Sequence, residues 1–480
     1  MSAQILIQGR LSGTEDFLLA PPADRDNRAF EARLWWLALL GEVLPRALLA
    51  DLQLPSLLLG SSGGGRFLVI LPDQARADAA GRFLTRAAEA LREITDGAVR
   101  IAWSATENLG DWTVVRKRLQ DGMGDASKAL VSQPGFFEPF VAAPTGSDRL
   151  PRGLRDVPAV GWSFDFPALL AAEGGTYRFD LGRQASADNI AMTRHAARGI
   201  DKKNPEAIAS TKELAKRSKG QKLFALLRGE IDDFGTRMRR VQSVEEHVHL
   251  SMLYKQFLAG EIELLCSQGE YFQRVTVLET GSADFVVCGS WDALAGFARE
   301  LHRVFALFAD ENLKELPGGE AKTITMALTV ANPGEPLGRI WEDSVRDLEI
   351  AKANDKDCLF ILGRVLEWKQ LHDAAELTEA IVQLNEEFKG GKHFLAQLRN
   401  LYKKVETPDL TGGPGDQERL MARAIRFQRR FARVANRRER EFQKLRAHLM
   451  KEMAGRGARG KLKLRPEGLV ALEWARLAED

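Results

Sequence analysis

The first part of the chain alternates short apolar runs with longer apolar stretches. Ile5 to Ile7 is a short apolar run, and Phe30 to Leu49 is long enough for a helix. Leu54 to Pro72 contains two apolar runs joined by a Gly/Ser turn, which predicts a β-hairpin. A second helical stretch, Ala75 to Ile94, precedes a strand-like run from Val99 to Trp103. The predicted order is therefore strand, helix, hairpin, helix, strand.

The same order returns in the middle of the chain. The pattern predicts a strand, a helix, a hairpin, a helix and a strand at Lys222 to Leu227, Ser243 to Leu265, Arg274 to Gly289, Ala293 to Phe308 and Thr323 to Val330. This is the order of a ferredoxin-like or polymerase-palm domain. Its repetition predicts an α+β fold with two such domains that arose by internal duplication.

Four segments follow from this pattern. Residues 1–110 form the first palm-like domain and residues 221–353 the second. Residues 111–220, rich in Gly, Pro, Ser and Asp with weak periodicity, are interpreted as a loosely built insert. Residues 354–480 read as an all-α C-terminal domain that contains a long helix from about Gln417 to Met453.

Length and composition argue against a membrane-spanning, secreted or disulfide-rich protein. The chain has 480 residues, a length typical of about three domains. Its longest charge-free stretch, Leu52 to Gly65, has 14 residues, too few for a membrane helix of about 20. The N-terminus has no signal-peptide pattern, and the three cysteines are too widely spaced for a disulfide framework or a CxxC zinc site. We therefore expect a soluble cytoplasmic protein without a membrane partner.

The net charge of +2 conceals a strong asymmetry. Between Gln417 and Arg465 there are 17 Lys/Arg and 4 acidic residues, so this segment carries +13 and the other 431 residues carry −11. Eight of these cations recur every three or four positions and form one stripe along the predicted helix: Arg419, Arg423, Arg426, Arg430, Arg433, Arg437, Arg440 and Lys444. Such a stripe is either a solvated face or a surface for RNA phosphates or an acidic partner. The repulsion within it favours the second interpretation.

The candidate chemistry lies in the second palm-like domain. Glu230 and Asp232 are two positions apart, so on an extended strand end they would face the same side. Asp284 closes the turn Gly281-Ser282-Ala283-Asp284 of the predicted hairpin. The three carboxylates are candidates for a two-metal Mg²⁺ site, or relics of one in a structural domain, because Ala283 leaves one ligand missing.

The first copy has a turn without acids. Gly63, Gly64 and Gly65 follow Ser62 at the corresponding place. Glycines there either satisfy the turn geometry or let a nucleotide or RNA backbone approach closely.

Several segments resemble the polymerase-cyclase large subunit of type III CRISPR-Cas complexes (the Cas ten family), most closely its Csm-type members. GRLSGTEDFLL resembles the GDISGIQDF-like opening of the family's first palm, and TGSADFVVCGSWD is similar to SGGDDLFIVGSWD. The matching segments run in the family's order: residues 9–19, 61–72, 226–235, 280–292, 357–371 and 390–401. The last two match segments that are helical in the family.

The resemblance implies a large scaffold subunit of an RNA-guided antiviral complex. It implies crRNA, bound near its 5′ tag, and target RNA as partners, together with Cas-five-like, backbone and small subunits. Departures from the family imply lost chemistry. The palm begins within ten residues of Met1, which leaves no room for the HD nuclease domain, and residues 160–220 lack the cysteines of the zinc ribbon.

The missing HD domain bears on nuclease activity, and the degenerate GGDD motif, Gly281-Ser282-Ala283-Asp284 in this sequence, bears on cyclase activity. We expect neither nuclease nor cyclase activity and no required cofactor. The alternative is a cyclic oligoadenylate synthase, activated by target RNA, that uses ATP and Mg²⁺ at Glu230, Asp232 and Asp284.

Overall fold

The structure of the chain is a computed structural model. The structure describes residues 4–21, 23, 25–131, 150–182, 189–199, 207–314, 322–387, 453–456 and 462–479, with positions 399, 425 and 429.

The first sheet has four strands: β1 (Ile5–Ser12), β2 (Leu59–Gly63), β3 (Arg66–Leu71) and β4 (Arg100–Glu107). They pair antiparallel in the order β2-β3-β1-β4. Between them run α1 (Thr14–Leu19), α2 (Asn27–Asp51) and α3 (Gln74–Ile94), with a short 3₁₀ turn at Ser56–Leu58. Asp26 and Asp73 cap α2 and α3 by accepting from Arg28 N and Arg76 N. The predicted elements of this region are confirmed.

The second sheet repeats the order and extends it. Its strands are β9 (Phe224–Ile231), β10 (Val275–Thr280), β11 (Asp284–Ser290), β12 (Ile324–Ala331), β13 (Cys358–Ile361) and β14 (Arg364–Glu367), in the order β10-β11-β9-β12-β13-β14. The helices in this region are α6 (Phe234–Arg240), α7 (Val244–Gln256), α8 (Ile262–Cys266), α9 (Trp291–Asn312) and α10 (Leu337–Lys352), with a π-helical turn at Phe257–Glu261 between α7 and α8. The first four strands, β10-β11-β9-β12, therefore match β2-β3-β1-β4 of the first sheet.

One hydrophobic core joins the two sheets. Leu6 and Leu68, on one face of the first sheet, belong to the same buried cluster as Leu250 and Tyr254 of α7. The helix α4 (Trp112–Val131) packs on β4 and β1 and contributes Trp112 to this cluster. One face of the first sheet therefore packs against α7, and the two sheets are held together by the burial of apolar side chains, which is the main stabilising contribution to folding.

The described residues within 111–220 include regular elements that the weak sequence periodicity did not predict. After α4, they contain a four-stranded sheet formed by β5 (Ala159–Trp162), β6 (Leu170–Ala171), β7 (Tyr177–Gly182) and β8 (Asn189–Ala191), and then α5 (Thr211–Lys216). Arg194 fixes this sheet by donating from its guanidinium to Val157 O at 2.6 Å and Leu181 O at 3.2 Å. Strands this short carry too little periodicity to be recognised.

The expectation of an all-α C-terminal domain is wrong. Residues 357–371 form the hairpin β13–β14 and the start of α11 (Trp368–Glu387), and β13 pairs in parallel with β12. A short apolar run does not distinguish a buried strand from a helix, and the turn at Leu362-Gly363, with φ of 50° and 79°, decides for the hairpin. A two-stranded sheet of β15 (Ala454–Arg456) and β16 (Leu462–Leu464) and the helix α12 (Pro466–Ala478) complete the described chain.

Two composition-based expectations can be examined in the described residues. The three cysteines, Cys266, Cys288 and Cys358, are buried free thiols. Within the ranges given above, no helix combines the length and apolar character required to cross a bilayer.

Candidate functional site

The turns of the two hairpins contact each other. Ser282 Oγ donates to Gly63 O at 2.8 Å, and a Cβ added at Gly63 would lie 3.0 Å from Ser282 Oγ. The φ angles of Gly63, Gly64 and Gly65 are 155°, 53° and 69°, values that favour glycine. These glycines therefore serve the turn geometry and also permit the close approach of Gly281 and Ser282 from the other hairpin.

The structure brings two of the three predicted carboxylates together. Glu230 on β9 and Asp284 on β11 are direct partners in the antiparallel register. Burial raises the pKa of Asp284, nearby Arg228 lowers it, and Glu230 raises it further. A proton or a cation near this pair is therefore favoured.

Asp232 has a separate environment. It follows the last residue of β9 and is buried. Its Oδ2 accepts from Thr323 Oγ1 at 2.7 Å and from Asp357 N at 3.3 Å, while Oδ1 accepts from Thr325 Oγ1 at 2.8 Å. Both carboxylate oxygens are thus engaged by hydrogen-bond donors of this chain.

Sequence reasoning missed two groups beside Asp284. Burial raises the pKa of Glu279 to about 7, with Asp284 adding to the effect and Arg228 opposing it. Arg228 is buried, donates to Ser344 Oγ at 3.0 Å and lies 4.2 Å from the centroid of the Trp341 ring. Two features of the sequence could have identified these groups. Glu279 is an acid at the end of β10, just before the hairpin turn, and Arg228 is a charged residue inside an otherwise apolar strand.

A cavity of about 320 Å³ opens where the hairpin turns meet. Both sheets and their helices contribute to it, including four carboxylates, one guanidinium and the Lys255 ammonium. We call it the acidic cavity, and its charged or turn-forming lining includes Glu15, Gly64, Gly281, Arg228, Glu279 and Asp284.

A second cavity, of about 220 Å³, has the opposite charge. No acidic residue is found among the described residues that line it. We call it the cationic cavity, and its lining includes Arg66, Arg116, Arg239, Lys255, Trp112 and Phe234. His247 also lines it, and its pKa is lowered to about 4 by burial and by Arg116, so its imidazole is neutral at pH 7.

Lys255 lines both cavities. Its Nζ lies 2.6 Å from Glu42 Oε2 and 3.0 Å from Ser62 Oγ. Burial alone would raise the pKa of Glu42, but Lys255 and Arg46 lower it to about 2. Burial lowers the pKa of Lys255, and Glu42 opposes that shift. The ion pair links α7 to α2.

Two further lysines lie beside the carboxylates at the end of β9. Lys352 Nζ is 2.8 Å from Glu230 Oε2, and Lys356 Nζ is 2.7 Å from Asp233 Oδ1. Within the described ranges, no group of three or more His, Cys, Asp or Glu side chains is arranged to hold a metal ion. The eight cations of the predicted stripe lie outside the described residues, so the stripe stays a prediction.

Comparison with known proteins gives a family match for one segment of the chain. Residues 223–360 match the family model of the second palm domain of Cas10/Cmr2. The chain is 22% identical over 473 residues to the single-strand-specific deoxyribonuclease Cas10/Csm1 of the subtype III-A CRISPR system of Enterococcus italicus, covering 84% of this chain and 60% of that protein. It therefore spans about 60% of the length of the curated relative it matches.

Solved structures show the same fold over the whole chain. A Csm1-Csm4 cassette in complex with cA4 aligns with a TM-score of 0.73 at 16% identity, covering 100% of this chain and 70% of that one. A Csm1-Csm4 subcomplex of the type III-A interference complex aligns with a TM-score of 0.65 at 16% identity and the same coverage.

Proposed function

We propose that this chain is the scaffold subunit of an RNA-guided ribonucleoprotein. It is a homologue of the Cas10/Csm1-type large subunits of type III CRISPR systems. In this role it binds the 5′-tag region of crRNA and contacts target RNA and neighbouring subunits. The observation that carries the proposal is the duplicated sheet order with the two hairpin turns in contact, in a chain that matches the Cas10/Cmr2 palm.

The partner subunits are part of the proposal. The similar structures contain Csm1 together with Csm4. We propose that this chain docks likewise on a Csm4-type, Cas-five-like subunit and contacts backbone and small subunits, and that both ferredoxin-like palms take part in assembly. Its C-terminal arginine stripe supplies the phosphate-binding surface.

We further propose that the second palm does not synthesise oligonucleotides. A two-metal site requires carboxylate oxygens directed at the ions. Here Asp232 is engaged by Thr323 and Thr325, and Ala283 stands where the motif has an acid. The residues present therefore do not fit two divalent ions.

Co-expression with crRNA and candidate partner subunits tests the scaffold role. We expect the chain to copurify with the RNA and a Csm4-type subunit. Replacing Arg426, Arg430, Arg433 and Arg437 with Glu should weaken RNA binding by at least about ten-fold and make it less dependent on salt, because fewer counterions are released.

A matched control carries four charge reversals elsewhere, on exposed positions of α3 and α4. RNA binding should be retained when Glu replaces Arg82, Arg92, Lys117 and Lys128. Equal RNA affinity for the two quadruple variants would contradict the role of the stripe, and absence of RNA and partner subunits from purified wild type would contradict the scaffold role itself.

The alternative function is a cyclic oligoadenylate synthase that uses Mg²⁺ and ATP and is activated by target RNA. The acidic cavity between the hairpin turns, which has Gly64, Gly65 and Asp284 in its lining, favours it. Incubating the assembled complex with ATP, Mg²⁺ and target RNA decides between the two. Oligoadenylate that disappears in both Asp232→Ala and Asp284→Ala would establish the synthase; no product supports the scaffold.

A further inference from the structure

Two of the carboxylates at the end of β9, Glu230 and Asp233, each contact a lysine. Lys352, the last residue of α10, contacts Glu230 at 2.8 Å and is held from its own helix by Glu349 at 3.0 Å. Lys356, in the loop that follows, contacts Asp233 at 2.7 Å. A lysine ammonium therefore lies against each of the two carboxylates on either side of Asp232.

The donors around these carboxylates do not suit a divalent cation. Mg²⁺ requires oxygen ligands in near-octahedral geometry at about 2.0–2.1 Å and usually keeps several waters. Glu230 and Asp233 each direct an oxygen at an ammonium group, and Asp232 has both oxygens engaged by hydroxyl and amide donors. An incoming ion would have to displace these donors.

Backbone strain concentrates at the same place. Asp355, Lys356 and Asp357 have consecutive φ angles of 66°, 61° and 45°, and Asp233 has 56°. Left-handed backbone is unfavourable for residues with a Cβ and persists only where surrounding contacts impose it. Here the contacts are the Lys356–Asp233 ion pair and the hydrogen bond from Asp357 N to Asp232.

We propose that Lys352 and Lys356 are internal counter-cations that take the place of divalent metal ions at the acidic end of the second palm. With both lysines present, this end of the sheet folds without a metal ion and does not take one up. The lysines also fix the loop between α10 and β13 against the end of β9. The proposal concerns the donors of this chain alone and is independent of the scaffold role.

Removing the two charges should create a divalent-cation site. The full chain is titrated with Mn²⁺ alone, and binding is followed by the loss of the free-ion electron paramagnetic resonance signal. Wild type should bind no Mn²⁺ at these carboxylates. Lys352→Gln with Lys356→Gln should bind Mn²⁺ with an affinity at least about ten-fold above any nonspecific uptake by wild type, since two nearby positive charges are gone.

Three variants separate charge from structural disturbance. Arginine at both positions keeps the charge and should bind no Mn²⁺. Lys117→Gln, at an exposed lysine of α4, should behave as wild type. Adding Glu230→Gln to the double glutamine variant should abolish the gained binding.

Thermal unfolding gives an independent measurement. Saturating Mn²⁺ should raise the Tm of the double glutamine variant by about 2 °C or more and leave that of wild type unchanged. If the double variant does not fold, the single variants Lys352→Gln and Lys356→Gln are titrated in the same way. The proposal is overturned if wild type binds Mn²⁺ through Glu230, or if the folded glutamine variants gain no Mn²⁺ binding.

Discussion

The two cavities beside the hairpin contact have similar size and opposite chemistry. The acidic cavity is lined by four carboxylates and two cations, namely Glu15, Glu42, Glu279, Asp284, Arg228 and Lys255. The cationic cavity presents three arginines and Lys255 and has no acid among its described lining residues. An anionic ligand would be repelled by the first unless a cation accompanied it, and attracted by the second. The two sheets thus share the order of four strands, whereas the two cavities beside their hairpin contact differ in charge.

The largest expected effect comes from the pair that separates the two cavities. Glu42→Gln leaves the buried Lys255 ammonium without its carboxylate and should lower the free energy of unfolding by about 3–5 kcal/mol, measured by chemical denaturation. Lys255→Met should cost less, because Glu42 keeps Arg46 and Ser62 as partners.

The matched controls for this pair are one double variant and one surface pair. Glu42→Gln combined with Lys255→Met should recover part of the loss, since no buried charge is left unpaired. Lys117→Gln, which breaks the exposed pair with Asp121, should change stability by less than about 0.5 kcal/mol. Equal losses for Glu42→Gln and Lys117→Gln would show that Lys255 does not depend on Glu42.

The acidic cavity should give the protein a pH dependence of its own. The pKa of Glu279 is raised from 4.5 to about 7, so between these values the folded protein holds a proton that the unfolded chain releases. Stability should therefore fall as the pH rises from about 4.5 to 7, by up to about 2 kcal/mol from this group. Glu279→Gln should remove this fall, as seen in unfolding measured at pH 5 and pH 8.

The control for the pH effect is an exposed acid on α3. Glu89→Gln should leave the difference in stability between pH 5 and pH 8 as in wild type. If Glu279→Gln also leaves this difference in stability unchanged, Glu279 is not protonated in the folded protein at pH 5 to a greater extent than in the unfolded chain.

Sequence reasoning located part of this site for a clear reason. Glu230 and Asp284 sit at the ends of strands that the repeated order makes neighbours, and their pairing follows from that order alone. Lys255 and Glu42 are 213 positions apart and meet only through the packing of α7 on the first sheet, which no local pattern encodes.

The contacts of the lysines at the end of β9 could not be predicted from the sequence, for a different reason. Lys356 is placed by left-handed backbone at three residues that are not glycine, and such conformations have no dependable sequence signature. The loop also lies before the hairpin β13–β14, a segment expected to be helical. The position of Lys356 beside Asp233 could therefore not be predicted, both because its backbone conformation is unusual and because the strands that follow were expected to be helical.

The smallest expected effect tests the cationic side. Arg10 and Arg66 are exposed and directly opposite each other on β1 and β3, and like charges in that position repel. Arg10→Gln should raise the free energy of unfolding by about 0.2–1 kcal/mol at low salt, and the gain should shrink at 1 M salt, where screening acts within about 3 Å. Arg178→Gln on β7, opposite Gly161, is the control and should show no salt-dependent gain. If the gain in the free energy of unfolding for Arg10→Gln is equal at both salt concentrations, it arises from strand propensity and not from charge. Repulsion between Arg10 and Arg66 would then make no measurable contribution to stability beside the cationic cavity.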